Sequence, residues 1–217
     1  MNLKVKRRCL GVIAMLAITA LTGANATATS GGHFASDSEH TILKSVNSAQ
    51  HDHAFIAHSG EIDCNLGTLK HEGTFSSKIV ASIDLAPSYG ECTTQGGTPI
   101  TSYTFNGCVY RLTVGSPVTT AEQTIHFVCP TGKALEFHQP NCLATMVAQT
   151  ATGTVTYKTS LQNGKDALTL ELNATFETQY HGGLCVFLGT KQSATLTGSL
   201  LLTASNTVGE PVSVIAT

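Results

Sequence analysis

Long runs in which apolar and polar residues alternate one by one constrain the fold of this chain more than any other feature. The longest extends from Leu168 to Phe176, with an apolar residue at every second position. Such alternation places successive side chains on opposite faces of a strand, one face buried and the other in water. The same pattern recurs over residues 79–85, 109–114, 125–129, 154–158 and 195–203.

Turn-forming residues separate these runs. The clearest case is Asn163-Gly164, which lies between two alternating segments and predicts a tight β-hairpin. Eight or more strands at this spacing predict an all-β fold, either an antiparallel β-sandwich or a barrel-like domain. No internal repeat interrupts the pattern.

Residues 1–28 have the organisation of a secretory signal peptide. Four basic residues precede an apolar run from Cys9 to Leu21, and Ala26-Thr27-Ala28 supplies small residues for cleavage. The apolar run is shorter than the roughly 20 residues of a transmembrane helix. We therefore expect the protein to be secreted or exposed on the exterior of the cell envelope, with no membrane span after removal of the signal.

Removing this signal changes the charge of the chain. The signal carries four of the 12 basic residues and none of the 14 acidic ones, so eight basic residues remain and the net charge becomes −6. Arg111 is then the one remaining arginine. Nucleic-acid binding needs a basic surface, so this composition excludes it as a function. The partner we expect is an unidentified extracellular ligand or a component of the cell surface.

Six cysteines remain after the signal, and an even number in an oxidising compartment predicts three structural disulfides. They are Cys64, Cys92, Cys108, Cys129, Cys142 and Cys185. No Cys-x-x-Cys pair occurs, which argues against a zinc site. Six cysteines allow 15 connectivities. We prefer Cys92–Cys108 and Cys129–Cys142, which join sequence neighbours across hairpin-like connections, and this leaves Cys64–Cys185.

Residues 29–60 are polar, rich in Ser, Ala and His, and lack obvious strand alternation. This composition predicts a mobile N-terminal extension, with a short helix starting at Ser36 and running through Val46. A single β-domain over 61–217 would then begin near Glu61.

The extension also contains the densest cluster of histidines. His51, Asp52, His53 and His58 have the ligand chemistry that suits Zn, Cu or Ni. The alternative is a solvated segment whose histidines act independently, and we favour it. No metal site and no cofactor are therefore predicted.

No local motif for catalysis is present, so no catalytic residue is predicted and we expect the chain not to be an enzyme. Active sites assembled from distant residues leave no such motif, which keeps a small secreted hydrolase open. His126 is then the best-placed base, because it lies on a predicted strand beside a cysteine; His138 lies near Cys142. A hydrolase would need an acid on one imidazole nitrogen and a hydroxyl near the other. The acids closest in sequence to His126 are Glu122 and Glu136.

Three short motifs carry a resemblance to known proteins. They are Cys64-Asn65-Leu66-Gly67-Thr68, Asn106-Gly107-Cys108-Val109-Tyr110, and Cys129-Pro130-Thr131-Gly132-Lys133 followed by Cys142. Together they resemble a group of uncharacterised secreted proteins of soil bacteria that are β-rich and carry similar cysteines. The resemblance implies export, β-structure and disulfides, and it implies no activity or ligand.

The leading hypothesis is a secreted, disulfide-stabilised β-domain that acts as a binding or structural module at or outside the cell surface. Two alternatives belong to other classes. One is a small secreted hydrolase, and the other is an extracellular metal binder that uses the histidine-rich extension.

Overall fold

The computed structural model describes residues 32–46, 53–57, 60–64, 70–89, 92–94, 102–115, 124–139, 141–182 and 191–217. Within these ranges the chain forms 19 β-strands and no helix. The strands are β1 (Phe34–Ser36), β2 (Thr41–Val46), β3 (His53–Ala57), β4 (Gly60–Cys64), β5 (Lys70–Phe75), β6 (Ile79–Val80), β7 (Ser82–Ser88), β8 (Cys92–Thr94), β9 (Ser102–Thr104), β10 (Val109–Thr113), β11 (Ile125–Val128), β12 (Leu135–Gln139), β13 (Cys142–Met146), β14 (Gln149–Thr150), β15 (Thr152–Gln162), β16 (Lys165–His181), β17 (Lys191–Ser205), β18 (Pro211–Val212) and β19 (Val214–Ala216).

Sixteen of these strands form one antiparallel sheet that curls into a half-barrel, which confirms the all-β, barrel-like prediction. Its main path runs β14-β11-β10-β7-β5-β2-β17-β16-β13-β12-β9. Strand β15 adds to β16, β18 adds to β17, and β3 connects β17 to β4 and β8. The remaining three strands form a small sheet in the order β19-β1-β6.

The concave face of the curled sheet holds the core. Residues at every second position of β16, from Leu168 to Phe176, are buried, as the alternation predicts. The same holds for Tyr110 and Leu112 of β10 and for Ile125 and Phe127 of β11. The alternating segment at 79–85 follows the prediction only from Ile83 onward. Ile79 is 59% exposed, because the chain bends at Ala81 between β6 and β7.

The predicted hairpin at Asn163-Gly164 is present. It joins β15 to β16, whose register runs from Gln162↔Lys165 to Thr152↔Thr175. Asn163 has φ 51° and Gly164 has φ 76°, the left-handed values that a two-residue type I′ turn requires. Asn and Gly adopt this conformation at the least steric cost, so the turn follows from the sequence.

Two side chains close the half-barrel between strands that are not neighbours in the sheet. The Gln149 amide of β14 donates to the Glu177 carbonyl at 2.8 Å and accepts from the Glu177 N–H at 2.6 Å, so it continues the edge of β16 as a strand would. The Tyr157 hydroxyl of β15 donates to the Thr113 carbonyl of β10 at 3.1 Å. The Tyr157 ring also packs edge-on against Phe34 of the small sheet.

The prediction of a mobile extension over 29–60 is wrong for residues 34–46 and 53–57. These residues form β1, β2 and β3, and β2 lies in the middle of the large sheet between β5 and β17. Thr41 and Leu43 are almost fully buried, whereas Lys44 is exposed. The segment does alternate, but one of its core positions is occupied by a Thr. Composition alone therefore gives no sign of the alternation.

Two further expectations change with this result. The domain does not begin near Glu61, since β1 already pairs with β19 in the small sheet and β2 lies within the large one. The helix expected from Ser36 to Val46 is a turn followed by β2, in which Ser36 and Ser38 form hydrogen bonds with Thr41. The predicted signal peptide over residues 1–28 lies outside the described residues.

The disulfide pattern corrects the preferred connectivity. Cys108 is bonded to Cys129, so the pairs Cys92–Cys108 and Cys129–Cys142 are wrong. The bonded cysteines lie at the open end of the β10–β11 hairpin, one residue beyond the register pair Val109↔Val128. The pairing of β10 with β11 therefore brings together two cysteines that are 21 residues apart, and not the cysteines that are closest in sequence.

Cys92 and Cys142 are also disulfide-bonded. The register of β4 and β8 sets Cys64 opposite Cys92. Cys185, which the sequence analysis paired with Cys64, lies outside the described residues.

Candidate functional site

A row of four polar residues crosses the outer face of the sheet on β7, β10, β11 and β14. The register aligns Asp84, Arg111, His126 and Thr150 one beside the next. On β7, β10 and β11 the residues on either side are buried, so the alternation sends Asp84, Arg111 and His126 outward, and Thr150 is exposed beside them. We refer to Asp84, Arg111, His126 and Thr150 as the polar row.

The first half of the polar row is a two-pronged ion pair. Arg111 Nε donates to Asp84 Oδ1 and Nη2 donates to Oδ2, both at 2.7 Å. The hydrogen bonds and the charge of Asp84 raise the pKa of Arg111. The side chains are 42% and 41% exposed, so both remain accessible to a ligand. Among the described residues, no group hydrogen-bonds Arg111 Nη1.

The second half of the polar row is an imidazole held by a hydroxyl. His126 Nδ1 lies 2.9 Å from Thr150 Oγ1. Within the part of the chain that the structure describes, Nε2 has no hydrogen-bond partner. The ring is thus fixed at one nitrogen and offers the other to the outer face.

Among the described residues, no acid is bonded to His126, as a hydrolytic base would need. Asp84, the carboxylate of the polar row, is bonded to Arg111 instead. None of the four ion pairs among the described residues includes His126. Glu122, one of the two acids considered, lies outside the described residues, and Glu136 is on β12, bonded elsewhere. The polar row therefore lacks the acid–imidazole–hydroxyl order of a nucleophilic triad.

An acid–imidazole pair does exist on β12, at a position that the sequence analysis did not connect. His138 Nε2 lies 3.1 Å from Glu136 Oε2, two residues earlier on the same face. The β9–β12 register places Ser102 opposite His138. Ser102 makes no side-chain hydrogen bond to His138 among the described residues, and the acid takes up Nε2, so hydroxyl and imidazole are neighbours without being coupled.

An open groove of about 520 Å³ lies along the polar row, lined by Arg111, His126 and Thr150. Ser82 and Thr113 extend its polar lining, while Ala148 and Val128 contribute small apolar patches. Because these residues sit on paired strands, the lining is fixed by backbone hydrogen bonds. The groove offers unpartnered hydrogen-bonding groups on a rigid support.

The core beneath the polar row offers no acid or base. The hydroxyl groups of Tyr110 and Tyr89 lie 3.1 Å apart, and both side chains are buried. Burial raises the pKa of both tyrosines far above the neutral range, which keeps them protonated. The two hydroxyl groups satisfy each other within the aromatic core, where Tyr110 packs against Phe127 and Phe176 and Tyr89 packs against Tyr103 and Phe105.

A second cavity of about 240 Å³ lies beside the β15–β16 hairpin and includes Lys165 and Lys44. Lys165 donates to Asp37 at 2.8 Å, and the other Asp37 oxygen accepts from the Ser213 N–H at 2.9 Å. Partial burial raises the pKa of Asp37, but the hydrogen bonds from Lys165 and Ser213 outweigh it, and the net pKa is lowered. These contacts join the residue after β1, the start of β16 and the residue between β18 and β19, so this cluster has a structural role.

Metal binding finds no support in the described residues. No group of three or more His, Cys, Asp or Glu side chains among them is placed to hold an ion. His51, Asp52 and His58 lie outside the described residues, and His53 is described only as the first residue of strand β3. Metal binding by this set therefore stays an alternative hypothesis.

Comparison of the chain with protein-family models, with curated proteins and with solved structures finds no match. In the described part of the chain, no helix has the length and hydrophobicity to cross a membrane.

Sequence reasoning singled out His126 but missed Asp84, Arg111 and Thr150 as its neighbours. One indication was available, since Arg111 is the only arginine after the predicted signal and stands on a strand between apolar residues. Its neighbours depend on the register of strands far apart in sequence, and the alternation alone does not determine that register.

Proposed function

We propose that this protein is a secreted, disulfide-stabilised β-domain that binds a small polar ligand outside the cell, and that the groove along the polar row is its binding site. The predicted signal peptide over residues 1–28 supports the location. The observation that carries the proposal is the groove itself. It brings hydrogen-bonding groups of Arg111 and His126 to one face of paired strands, with Asp84 bonded to Arg111 beside it.

A binding function fits this groove better than catalysis does. Binding sites combine a concave surface with a few placed polar groups. Catalysis by His126 would need a paired acid as well, and the carboxylate of the polar row is already engaged by Arg111.

The test is a ligand screen followed by nuclear magnetic resonance on the ¹⁵N-labelled mature protein. We expect at least one class among sugars, amino acids, organic acids and amines to shift amide signals of β10, β11 and β14. Arg111→Met should remove that response. Lys158→Met is the matched control, since Lys158 forms a cross-strand ion pair with Glu171 on β15–β16 and does not line the groove.

Two results would contradict the proposal. One is a screen in which no compound shifts the groove signals. The other is a ligand whose binding is unchanged by Arg111→Met. Because Asp84 is 41% exposed, it stays hydrated when its partner is removed, so we expect the variant to fold.

The hydrolase alternative now rests on a different histidine. Glu136 and His138 form the acid–imidazole pair, and Ser102 is the neighbouring hydroxyl. Turnover of simple esters that is lost in both Ser102→Ala and His138→Ala, with His126→Ala active, would support this alternative. Absence of turnover in the wild-type protein would remove it.

A further inference from the structure

We infer that the ligand of the groove is a neutral saccharide, held at two adjacent hydroxyl groups by the Asp84–Arg111 pair. This inference rests on the proposed function, because it names the ligand class of the same groove. It follows from the charge of the pair, from its remaining hydrogen-bonding capacity and from the surrounding side chains.

The charge of the pair favours a neutral ligand. Arg111 lines the groove and is joined to Asp84 beside it by two hydrogen bonds of 2.7 Å, so the opposite charges of the pair largely cancel. An anion attracted by the Arg111 guanidinium would be repelled by the Asp84 carboxylate beside it. A cation attracted by the carboxylate would be repelled by the guanidinium. The net charge of −6 that follows from removal of the predicted signal adds a repulsive field for anions.

The unused hydrogen-bonding capacity matches hydroxyl groups. A guanidinium has five N–H donors and a carboxylate about four acceptor sites, and the pair uses two of each. About three donors and two acceptor sites therefore remain side by side. A hydroxyl group both donates and accepts, so adjacent hydroxyls can accept from Arg111 and donate to Asp84. A carboxylate ligand can only accept, and an ammonium ligand can only donate.

The rest of the groove extends the same pattern. His126 Nε2 and the Ser82 hydroxyl each have no hydrogen-bond partner among the described residues, and both residues line the groove. Ala148 and Val128 provide small apolar surfaces for the C–H faces of a sugar ring. The chain has no Trp whose ring could stack on a sugar, so we expect weak binding in the millimolar range.

The test is a titration of the ¹⁵N-labelled mature protein with four groups of compounds. The first is neutral disaccharides of glucose, galactose, mannose and N-acetylglucosamine. The others are uronic-acid disaccharides, citrate, and the diamine putrescine. We expect a neutral disaccharide to shift the groove signals more strongly than any charged compound does.

Variants then assign the contacts. Asp84→Asn keeps the shape of the side chain but removes its charge and half its acceptor capacity, and Arg111→Met removes the donors. Each should weaken saccharide binding at least tenfold, whereas Lys158→Met should leave it unchanged. Thermal unfolding of each variant confirms that it is folded before binding is compared.

The outcomes separate this inference from the proposed function. If no compound of any group shifts the groove signals, the proposed function fails. If citrate, uronic acids or putrescine bind in the groove more tightly than every neutral disaccharide, the binding function stands and the saccharide inference is overturned. Saccharide binding that survives both Asp84→Asn and Arg111→Met also overturns it.

Discussion

Truncation of Leu43 tests the position of β2, the strand that the sequence analysis assigned to a mobile segment. Leu43 has no exposed surface, and β2 pairs with β5 on one side and β17 on the other. Cutting a fully buried leucine to alanine costs about 2–5 kcal/mol through lost apolar contact and the cavity left behind. That is a large part of the roughly 5–15 kcal/mol that holds a typical domain folded.

The assay is thermal unfolding followed by far-ultraviolet circular dichroism, because the chain has no Trp for fluorescence. For a domain of this size we expect Leu43→Ala to lower Tm by about 4–20 °C. Leu161→Ala is the matched control, since Leu161 lies near the β15–β16 turn with its side chain 73% exposed. Its effect should stay within about 0.5 kcal/mol.

A truncated chain that begins at Glu61 tests the same strand more severely. Without β2, the main path of the sheet would divide between β5 and β17. We expect this chain to show no cooperative unfolding transition. If it unfolds at the wild-type temperature, or if Leu43→Ala behaves like Leu161→Ala, then β2 is not part of the core and the reasoning is refuted.

Three further sets of contacts that hold the fold together can be tested: the Cys108–Cys129 bond and the hydrogen bonds of Gln149 and Asp37. Peptide mapping without reduction should recover Cys108 linked to Cys129, and a recovered Cys92–Cys108 peptide would contradict the fold. Replacing both bonded cysteines by alanine should lower the free energy of unfolding by about 3 kcal/mol, given their separation of 21 residues. Gln149→Ala should cost about 1 kcal/mol for each of its two bonds to the Glu177 backbone, measured by urea unfolding, and an unchanged midpoint would argue against this closure. Because its hydrogen bonds lower the pKa of Asp37, the stability that its charge contributes is present at neutral pH and is lost as pH falls below about 4. The stability gap between wild type and Asp37→Asn should therefore narrow in acid, and a gap that is constant from pH 7 to pH 2 would refute this role.

The sequence predicted the strands whose alternation is long and regular. In β16, apolar residues occupy each inward position from Leu168 to Phe176, and the Asn163-Gly164 turn fixes the pairing with β15. Both features are local, so a single sequence contains them in full. These local features are sufficient to predict an all-β, barrel-like class of fold.

The sequence did not predict the strands whose inward positions are few or polar. Strand β2 buries Thr41 and Leu43, which a composition rich in small and polar residues conceals.

The disulfide partners were missed for a related reason. Cys108 and Cys129 meet because β10 and β11 pair across a long connection, whereas distance along the chain favoured closer neighbours.

The missed disulfide and the missed polar row have the same cause, which is the register of β10 against β11. That register sets Arg111 beside His126, and two residues away it sets Val109 beside Val128, next to the Cys108–Cys129 bond. A slip of one residue would turn one strand's polar side chains into the core. The bond and the buried Tyr110–Phe127 contact belong to the same core face, and both oppose that slip. The features that hold this hairpin in the fold are thus the ones that align the proposed binding groove.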